Sequence, residues 1–289
     1  MEKLIKEKIS SLLSDEEEVL SVEQLGGMTN QNYLVKTTNK QYIVKFFGKG
    51  TEKLINRQNE KYNLELLEDL DLDVKNYLFD IESGIKVNEY IESAVTLDST
   101  SIKSKFEKIA PILQTIHASG KELRGEFAPF EEIKKYESLI QGEISYPNYE
   151  AVRKSVLSLK NELEKIGVDK KSCHIDLVPE NFIEGPDGHP YLIDWEYSSM
   201  NDPMWDLASL FLESEFTPEE EADFLAYYEG DKTPVSREKI RIYKILQDII
   251  WSLWTIYKEE NGADFGDYGI SRYNRAVKEL ESEGDLDEN

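Results

Sequence analysis

Apolar and polar residues alternate along residues 22–48, whereas the segment before them has apolar residues at helical spacing. Four apolar side chains share one helical face there: Ile5, Ile9, Leu12 and Leu13. This spacing predicts an amphipathic helix over residues 1–18. The alternation predicts three short strands, with GGMTN and TTNK as the two turns and Lys45 on the third strand.

The rest of the chain predicts a helix over residues 51–70, further strand character over 77–92, and mostly helices after that. The exception is residues 173–196, where the turn GPDG separates NFIE from HPYLIDWE and predicts a β-hairpin. A β-rich beginning followed by a helical remainder predicts an α+β protein with two lobes. We expect these lobes to span residues 1–90 and 91–289.

Composition and charge narrow the functional classes. The 289 residues are 39% apolar and 32% charged, which suits a folded protein with a sizeable core, and the formal net charge is −24. This acidic surplus argues against a nucleic-acid partner and means that an anionic ligand needs dedicated local cations. The single cysteine, Cys173, excludes an intrachain disulfide and is expected to be a buried structural thiol. Without a bilayer-length apolar run or a signal peptide, we expect a cytoplasmic location and no membrane insertion.

The predicted hairpin carries several polar residues of catalytic type. His174 and Asp176 lie two apart on what we expect to be an extended segment, so their side chains would share a face. Asn181 would open the first hairpin strand and Asp194 would end the second, which brings both beside Asp176. Amide and carboxylate oxygens are hard ligands that suit Mg²⁺, while Asp176 could accept a proton from a substrate hydroxyl. The alternative interpretation is a surface hairpin with a few polar turn residues.

The spacing D-x-x-x-x-N, with a second Asp thirteen residues later, resembles the kinase arrangement of a catalytic-loop Asp and Asn with a metal-binding Asp beyond a hairpin. The chain departs from protein kinases in having H-I-D rather than H-R-D, D-W-E rather than D-F-G, and no A-P-E. These departures favour the small-molecule branch of the two-lobed protein-kinase-like fold, with a β-rich N-lobe and a mainly helical C-lobe.

Other kinase parts occur in the matching order. The GGMTN turn lies where a phosphate-covering loop belongs, and its glycines let the backbone approach a ligand. Lys45 is placed to reach the α- and β-phosphates, and Glu60 on the following helix is the best-placed carboxylate to pair with it. Backbone groups from Glu89 to Ile91 are expected to hold an adenine. The predicted nucleotide-binding residues are Gly26, Gly27, Thr29, Asn30, Lys45, Glu60, Glu89, Ile91, Ile183 and Ile193.

The segment DIIWSLWTIYKEE indicates the phosphate acceptor. On a helix its aliphatic side chains form one stripe, and Trp251 and Trp254 share a face roughly 120° from the centre of that stripe. Aromatic faces near an anionic group bind quaternary ammonium ions through the ring quadrupoles. Packing of the two tryptophans against a neighbouring helix is the alternative. Asp202 and Pro203 predict the start of another helix, whose Asp206 could brace the catalytic segment.

Together the segments CHIDLVPENF, LIDWEYSSMNDPMWDLASLFLE and IIWSLWTIY resemble the bacterial LicA-type choline kinases, the streptococcal branch in particular. The resemblance extends through GGMTNQNY, YIVKFFG and INRQNEKYNLELLEDL. It implies ATP and Mg²⁺ as cofactors, Asp176 as catalytic base, and Asn181 and Asp194 as Mg²⁺ ligands. It also implies an aromatic choline pocket with an acidic neighbour. The substrate-binding residues expected on this basis are Asp176, Asp194, Glu196, Tyr197, Glu213, Trp251 and Trp254.

The leading hypothesis is therefore phosphotransfer from ATP to the hydroxyl of choline, giving phosphocholine. A kinase of ethanolamine or another amino alcohol is the nearest alternative, although primary ammonium groups favour hydrogen-bond acceptors over aromatic faces. A non-catalytic choline sensor is the alternative from another class, and it would have no need for the predicted metal ligands. The sequence leaves the oligomeric state open.

Overall fold

The computed structural model of the protein describes residues 2–14, 17–26, 30–48 and 51–284. It divides into two compact units, of which the first comprises Met1–Ser101 with Pro179–Tyr197 and the second Ile102–Val178 with Ser198–Asn289. The sequence assigned the hairpin to the second lobe, whereas the structure groups residues 179–197 with the first unit.

The first unit is built on an antiparallel five-stranded sheet with the strand order β1-β2-β3-β5-β4. Helix α1 covers its core, where Ile5 and Ile9 are fully buried with Val35, Val44 and Val87. A smaller sheet has the order β6-β8-β9. The elements are α1 (Glu2–Ser10), β1 (Val19–Gln24), β2 (Gln31–Thr37), β3 (Gln41–Phe46), α2 (Arg57–Leu67), β4 (Asn76–Asp80), β5 (Ile85–Glu89), β6 (Val95–Thr96), β8 (Phe182–Glu184) and β9 (Pro190–Leu192).

Local hydrogen bonds shorten two predicted helices. Helix α1 ends at Ser10 rather than near residue 18. At this end, the hydroxyl of Ser11 donates to the carbonyl of Lys8 at 2.6 Å. The helix expected from Thr51 begins only at Arg57, because the side chain of Asn56 accepts the first free backbone N–H groups and caps it there. The three predicted strands β1, β2 and β3 are confirmed, as is the turn at TTNK.

The second unit is mainly helical, with a short antiparallel pair formed by β7 and β10. Its central helix, α8, has 24 residues. Of its predicted aliphatic stripe, Leu246, Ile249, Ile250 and Leu253 are buried and Ile256 is half-buried. Within the described residues, none of the helices is long and apolar enough to cross a membrane. The elements are α3 (Phe106–Ala118), α4 (Pro129–Leu139), α5 (Tyr149–Ile166), β7 (Lys171–Cys173), β10 (Ser199–Asn201), α6 (Pro203–Glu213), α7 (Pro218–Tyr228), α8 (Arg237–Glu260) and α9 (Tyr268–Gly284).

The predicted hairpin forms between β8 and β9, with Gly188 donating to the carbonyl of Gly185 in the turn. The extended segment expected through His174 and Asp176 is wrong. Strand β7 stops at Cys173, and Ile175 takes a left-handed backbone conformation with φ of 79°. A β-branched residue rarely adopts that conformation unless surrounding contacts impose it.

Candidate active site

Lys45 forms the central ion pair of the first unit. It lies on β3, is 8% exposed, and its Nζ donates to Oδ1 of Asp194 at 2.6 Å. Burial alone would lower the pKa of Lys45, but the carboxylates of Asp194, Glu196 and Glu60 outweigh it and raise the pKa. The lysine is therefore fully charged at neutral pH, as the predicted contact with phosphates requires.

Glu60 has different partners from the predicted one. Its carboxylate binds Nη1 of Arg57 at 2.6 Å and Nζ of Lys86 at 3.2 Å, so the expected Lys45–Glu60 pair is wrong. The reason lies in the register, because Lys45 and Lys86 are directly opposite each other on β3 and β5. Two like charges at such a position repel unless each has its own carboxylate, and Glu60 neutralises Lys86 while Asp194 neutralises Lys45.

Glu196 and Asn30 hold each other rather than facing a ligand. Nδ2 of Asn30 donates to Oε2 of Glu196 at 2.8 Å, and Nη1 of Arg57 donates to the same oxygen at 2.9 Å. Oδ1 of Asn30 in turn accepts the backbone N–H of Gly48 at 3.2 Å. Burial raises the pKa of Glu196, as does Asp194, while Lys45 and Arg57 oppose the rise. Glu196, expected to bind substrate, is thus a buried member of this ion-pair network.

Asn181 and Asp194 lie at neighbouring positions across the open end of the hairpin. Ile193 donates its backbone N–H to the carbonyl of Asn181 at 2.8 Å, one step beyond the paired residues Phe182 and Leu192. The two side chains offer an amide oxygen and a carboxylate, which are hard donors that suit Mg²⁺. The donor set therefore fits the predicted metal.

Asp73 adds a carboxyl group that the sequence did not single out. Burial raises its pKa to about 7, against the opposing effects of Lys86, its own backbone contact to Val74 and Lys45. Asp194 raises it further. When Asp73 is ionised, this network contains four carboxylates (Asp73, Glu60, Asp194 and Glu196) and three cations (Lys45, Arg57 and Lys86). The excess of one negative charge favours binding of an added cation.

We expect replacement of Asp73 by Asn to stabilise the protein in a pH-dependent way. The folded pKa of about 7 lies above the ordinary 3.8, so the wild type loses stability as pH rises from about 4 to 7 and stays penalised above 7. Allowing for partial exposure, the penalty is on the order of 1–2 kcal/mol, a melting-temperature gain of about 2–6 °C for Asp73→Asn at pH 8. Melting curves of both proteins at pH 5 and pH 8 test this.

The control is Glu68→Gln, which alters an exposed carboxylate of the same unit. A melting-temperature difference between wild type and Asp73→Asn that is the same at pH 5 and pH 8 would contradict the assignment.

The remaining predicted nucleotide-binding residues are placed as follows. Glu89 ends β5 and donates its backbone N–H to Lys75 at 2.8 Å, and Ile91 is half-buried just beyond it. Ile183 and Ile193 are half-buried on and beside the hairpin strands. The carbonyl of Gly26 accepts the side-chain amide of Asn32 at 3.0 Å, whereas Gly27 and Thr29 lie outside the described residues. Tyr197, which was predicted to bind substrate rather than nucleotide, is half-buried at the end of a short 3₁₀ turn in the first unit.

In the second unit, helix α6 fixes the backbone on either side of Asp176. The fully buried carboxylate of Asp206 accepts the backbone N–H groups of His174 and Ile175, both at 2.8 Å. Nε1 of Trp205 donates to the carbonyl of Ile175 at 3.0 Å. These bonds impose the left-handed conformation at Ile175 and so set the direction of the half-buried Asp176. The predicted brace by Asp206 is confirmed.

His117 extends this brace into the core. Its Nε2 lies 3.0 Å from Oδ2 of Asp206, and its Nδ1 lies 2.7 Å from the hydroxyl of Tyr228. His117, Cys173 and Asp206 offer potential metal-ligand atoms within 4.8 Å of one another, but the two ring nitrogens already have partners. Burial raises the pKa of the Cys173 thiol, which is therefore inert. The cluster supports the backbone of the segment that carries Asp176.

An aromatic cluster lies near Asp176 in the same unit. Trp251 and Trp254 are each 8% exposed, with ring centroids 6.5 Å apart and perpendicular planes. Trp254 also packs on Phe265 at 5.0 Å, and Phe265 on Tyr268 at 6.4 Å. Burial raises the pKa of Tyr268, and the negative charges of Glu213 and Asp176 raise it further. Asp176 is thus within electrostatic range of this cluster.

Glu213, the predicted acidic neighbour, is already neutralised. Nη2 of Arg272 donates to its Oε1 at 2.5 Å, and Nη1 of Arg272 donates to the hydroxyl of Tyr268 at 2.8 Å. Sequence reasoning missed Arg272 and Arg57. The spacing of Arg57 three residues before Glu60 signals an ion pair on a helix, but nothing local connects Arg272 with Glu213.

Comparisons with known proteins agree with this geometry. The sequence matches the family model for choline/ethanolamine kinase over residues 22–239. It is 31% identical over 269 residues to the protein LicA of Haemophilus influenzae, covering 89% of this chain and 79% of that protein. The crystal structure of the choline kinase LicA from Streptococcus pneumoniae shares 80% identity and a TM-score of 0.94, covering 98% of this chain and 99% of that one. A structure of LicA in complex with AMP shares 81% identity and a TM-score of 0.91, covering 97% and 98%.

The fold and the site define an ATP-dependent kinase with a protein-kinase-like α+β fold, as the hairpin and Lys45 indicated. The chain belongs to the choline/ethanolamine kinase family. The resemblance to LicA-type kinases is confirmed, and the AMP complex supports binding of a nucleotide.

Proposed function

We propose that this protein transfers the γ-phosphate of ATP to the hydroxyl of choline, producing phosphocholine and ADP. The observation that carries the proposal is the aromatic cluster of Trp254, Phe265 and Tyr268, in which Tyr268 lies within electrostatic range of Asp176. The similarity to a choline kinase of known structure supports the same substrate.

Asp176 is the proposed catalytic base. Its carboxylate accepts the proton of the choline hydroxyl as the oxygen attacks the γ-phosphorus, so the acceptor is oriented and its charge is balanced in the transition state. Asp206 acts only through the backbone of His174 and Ile175 and is a positioning residue.

Lys45, Asn181 and Asp194 are the proposed phosphate and metal residues. Lys45 binds the α- and β-phosphates, and Asn181 and Asp194 hold Mg²⁺, which would neutralise charge on the phosphates when bound. In the structure Lys45 is held by Asp194 at 2.6 Å. Lys45 would contact a bound triphosphate as a second anionic partner, and Asn181 and Asp194 would hold the metal, which would supply positive charge beside the phosphates.

The aromatic cluster is the proposed binding site for the trimethylammonium group. A quaternary ammonium ion has no N–H to donate, so it is stabilised by aromatic faces rather than by hydrogen bonds. Trp254 packs on Phe265 at 5.0 Å, whereas Trp251 approaches Phe127 at 6.4 Å, with Trp205 packed on Phe127 at 4.9 Å. We assign the direct substrate contact to Trp254 and the support of its ring to Trp251.

Replacement of Trp254 by Ala should raise the KM for choline about tenfold, because a desolvated cation–π contact is worth about 1–2 kcal/mol. The KM for ATP should change less than twofold. ADP release with choline, with ethanolamine and without an acceptor measures this. Trp254→Phe is the control, since it keeps an aromatic face.

Strong choline-dependent ADP release by the wild type supports the proposed function. Failure to consume ATP with choline and Mg²⁺, together with tight choline binding, would instead identify a choline sensor. An unchanged KM for choline in Trp254→Ala would remove Trp254 from the pocket. We further propose a cytoplasmic location, where ATP is available, and no nucleic-acid partner.

A further inference from the structure

Arg272 donates hydrogen bonds to two acceptors beside the aromatic cluster, Glu213 and Tyr268. It lies on α9, is 4% exposed, and binds the carboxylate of Glu213 at 2.5 Å and the hydroxyl of Tyr268 at 2.8 Å. Its guanidinium carbon also lies 5.0 Å from the centroid of the Tyr268 ring. A single buried cation therefore engages both the acid and the phenol next to the proposed ammonium site.

A second arginine provides a natural comparison. Arg275 binds Asp248 with two hydrogen bonds of 2.6 Å, from Nε and Nη2. Nε of Arg272 lies 3.3 Å from the same carboxylate. Loss of Arg272 would therefore leave Asp248 paired with Arg275, whereas Glu213 would lose its guanidinium partner. The two arginines lie on one helix, three residues apart, but only Arg272 reaches Glu213.

We propose that Arg272 determines the specificity of the acceptor site for choline over ethanolamine. This inference rests on the proposed function. A primary ammonium group carries three N–H donors, and burying them without acceptors is costly. Arg272 neutralises Glu213 and donates to the Tyr268 hydroxyl, so ethanolamine would have to compete with a buried guanidinium for these acceptors. The trimethylammonium group of choline needs none of them and binds the aromatic faces, so the internal ion pair penalises ethanolamine selectively.

Replacing Arg272 by Met tests the proposal, because Met is an unbranched, uncharged side chain and removes the guanidinium from both Glu213 and the Tyr268 hydroxyl. The measured quantity is the ratio of kcat/KM for choline to kcat/KM for ethanolamine. We expect this ratio to fall at least tenfold in Arg272→Met, mainly through a gain with ethanolamine. In Arg275→Met the ratio should stay within twofold of the wild type, since that change leaves the Arg272–Glu213 pair intact.

The double variant Glu213→Gln/Arg272→Met shows whether the carboxylate of Glu213 causes the change in the ratio. It replaces the carboxylate by a neutral amide, a weaker acceptor for an ammonium group, while the Tyr268 hydroxyl stays without the guanidinium. The ratio should therefore recover at least threefold from its value in Arg272→Met. A ratio that stays low in the double variant, or that never falls in a folded Arg272→Met, overturns the proposal.

Glu213→Gln alone keeps the proposal testable if Arg272→Met does not fold. Since Arg272 already neutralises Glu213, we expect the KM for choline to rise less than threefold in this variant. A rise above tenfold would show that Glu213 is the direct counter-ion of choline, which contradicts the proposal. A wild type that phosphorylates neither amino alcohol overturns the proposed function itself, and a choline kinase with an unchanged ratio in Arg272→Met overturns only the role of Arg272.

Discussion

Replacement of Asp176 by Asn should lower kcat about 10²- to 10⁴-fold while leaving the KM for ATP within about threefold, the range expected when a general base is removed. The amide keeps the shape of the carboxylate but cannot accept the hydroxyl proton or carry its charge. Steady-state ADP release with saturating choline measures the loss. Asp231→Asn, which changes an exposed carboxylate elsewhere in the same unit, serves as the control.

The melting temperature of Asp176→Asn should stay close to that of the wild type. Asp206 and Trp205 fix the segment through the backbone of His174 and Ile175, not through the side chain of Asp176. Near-normal kcat in a folded Asp176→Asn would show that the base is another group. A large loss of stability instead would make Asp176 a structural residue.

The elements of the first unit were accessible to sequence reasoning where a periodic pattern decides structure. Alternation specified β1 to β3 because one face of the sheet is buried against α1. The start of α2 was missed because the side chain of Asn56 caps the first turn and sets the beginning of the helix at Arg57. This cap outweighs the apolar content of the residues before it. Such a cap is visible in the sequence and could have been used.

The partner of Lys45 was not accessible from the sequence. Whether Lys45 pairs with Glu60 or with Asp194 depends on the register of β3 and β5, which places Lys45 opposite Lys86. These two lysines are 41 positions apart in the sequence. The left-handed conformation of Ile175 was hidden for the same reason. It follows from bonds to Asp206, 31 positions away, and local preference for a β-branched residue points the other way.

The two arginines show how the acidic surplus of the chain is managed at functional positions. Arg57 lies between Glu60 and Glu196, and Arg272 between Glu213 and Asp248. In each case a buried guanidinium, which is always charged, fixes two carboxylates at once. In the network around Lys45, Asp194 is held by a lysine instead, and we propose that this carboxylate is the one that binds the metal.

Replacement of Asp194 by Asn should therefore abolish most activity, with kcat lowered about 10³-fold and the Mg²⁺ concentration for half-maximal rate raised at least tenfold. Removing the charged ligand forfeits several kcal/mol of charge stabilisation, which corresponds to about three orders of magnitude in rate. The fold should survive, because Lys45 keeps the nearby charges of Glu196 and Glu60. Titration of ADP release with Mg²⁺ at saturating ATP separates the loss of metal affinity from the loss of rate.

Asp187→Asn, in the exposed turn of the same hairpin, is the matched control and should leave both quantities unchanged. If Asp194→Asn kept its Mg²⁺ requirement and lost only affinity for ATP, the role of Asp194 would be to orient Lys45 rather than to bind metal. The 2.6 Å ion pair makes that a real alternative, and Lys45→Met decides between the two. Under the metal assignment Lys45→Met raises the KM for ATP and leaves the Mg²⁺ requirement near the wild-type value, whereas under the alternative the two variants have the same phenotype.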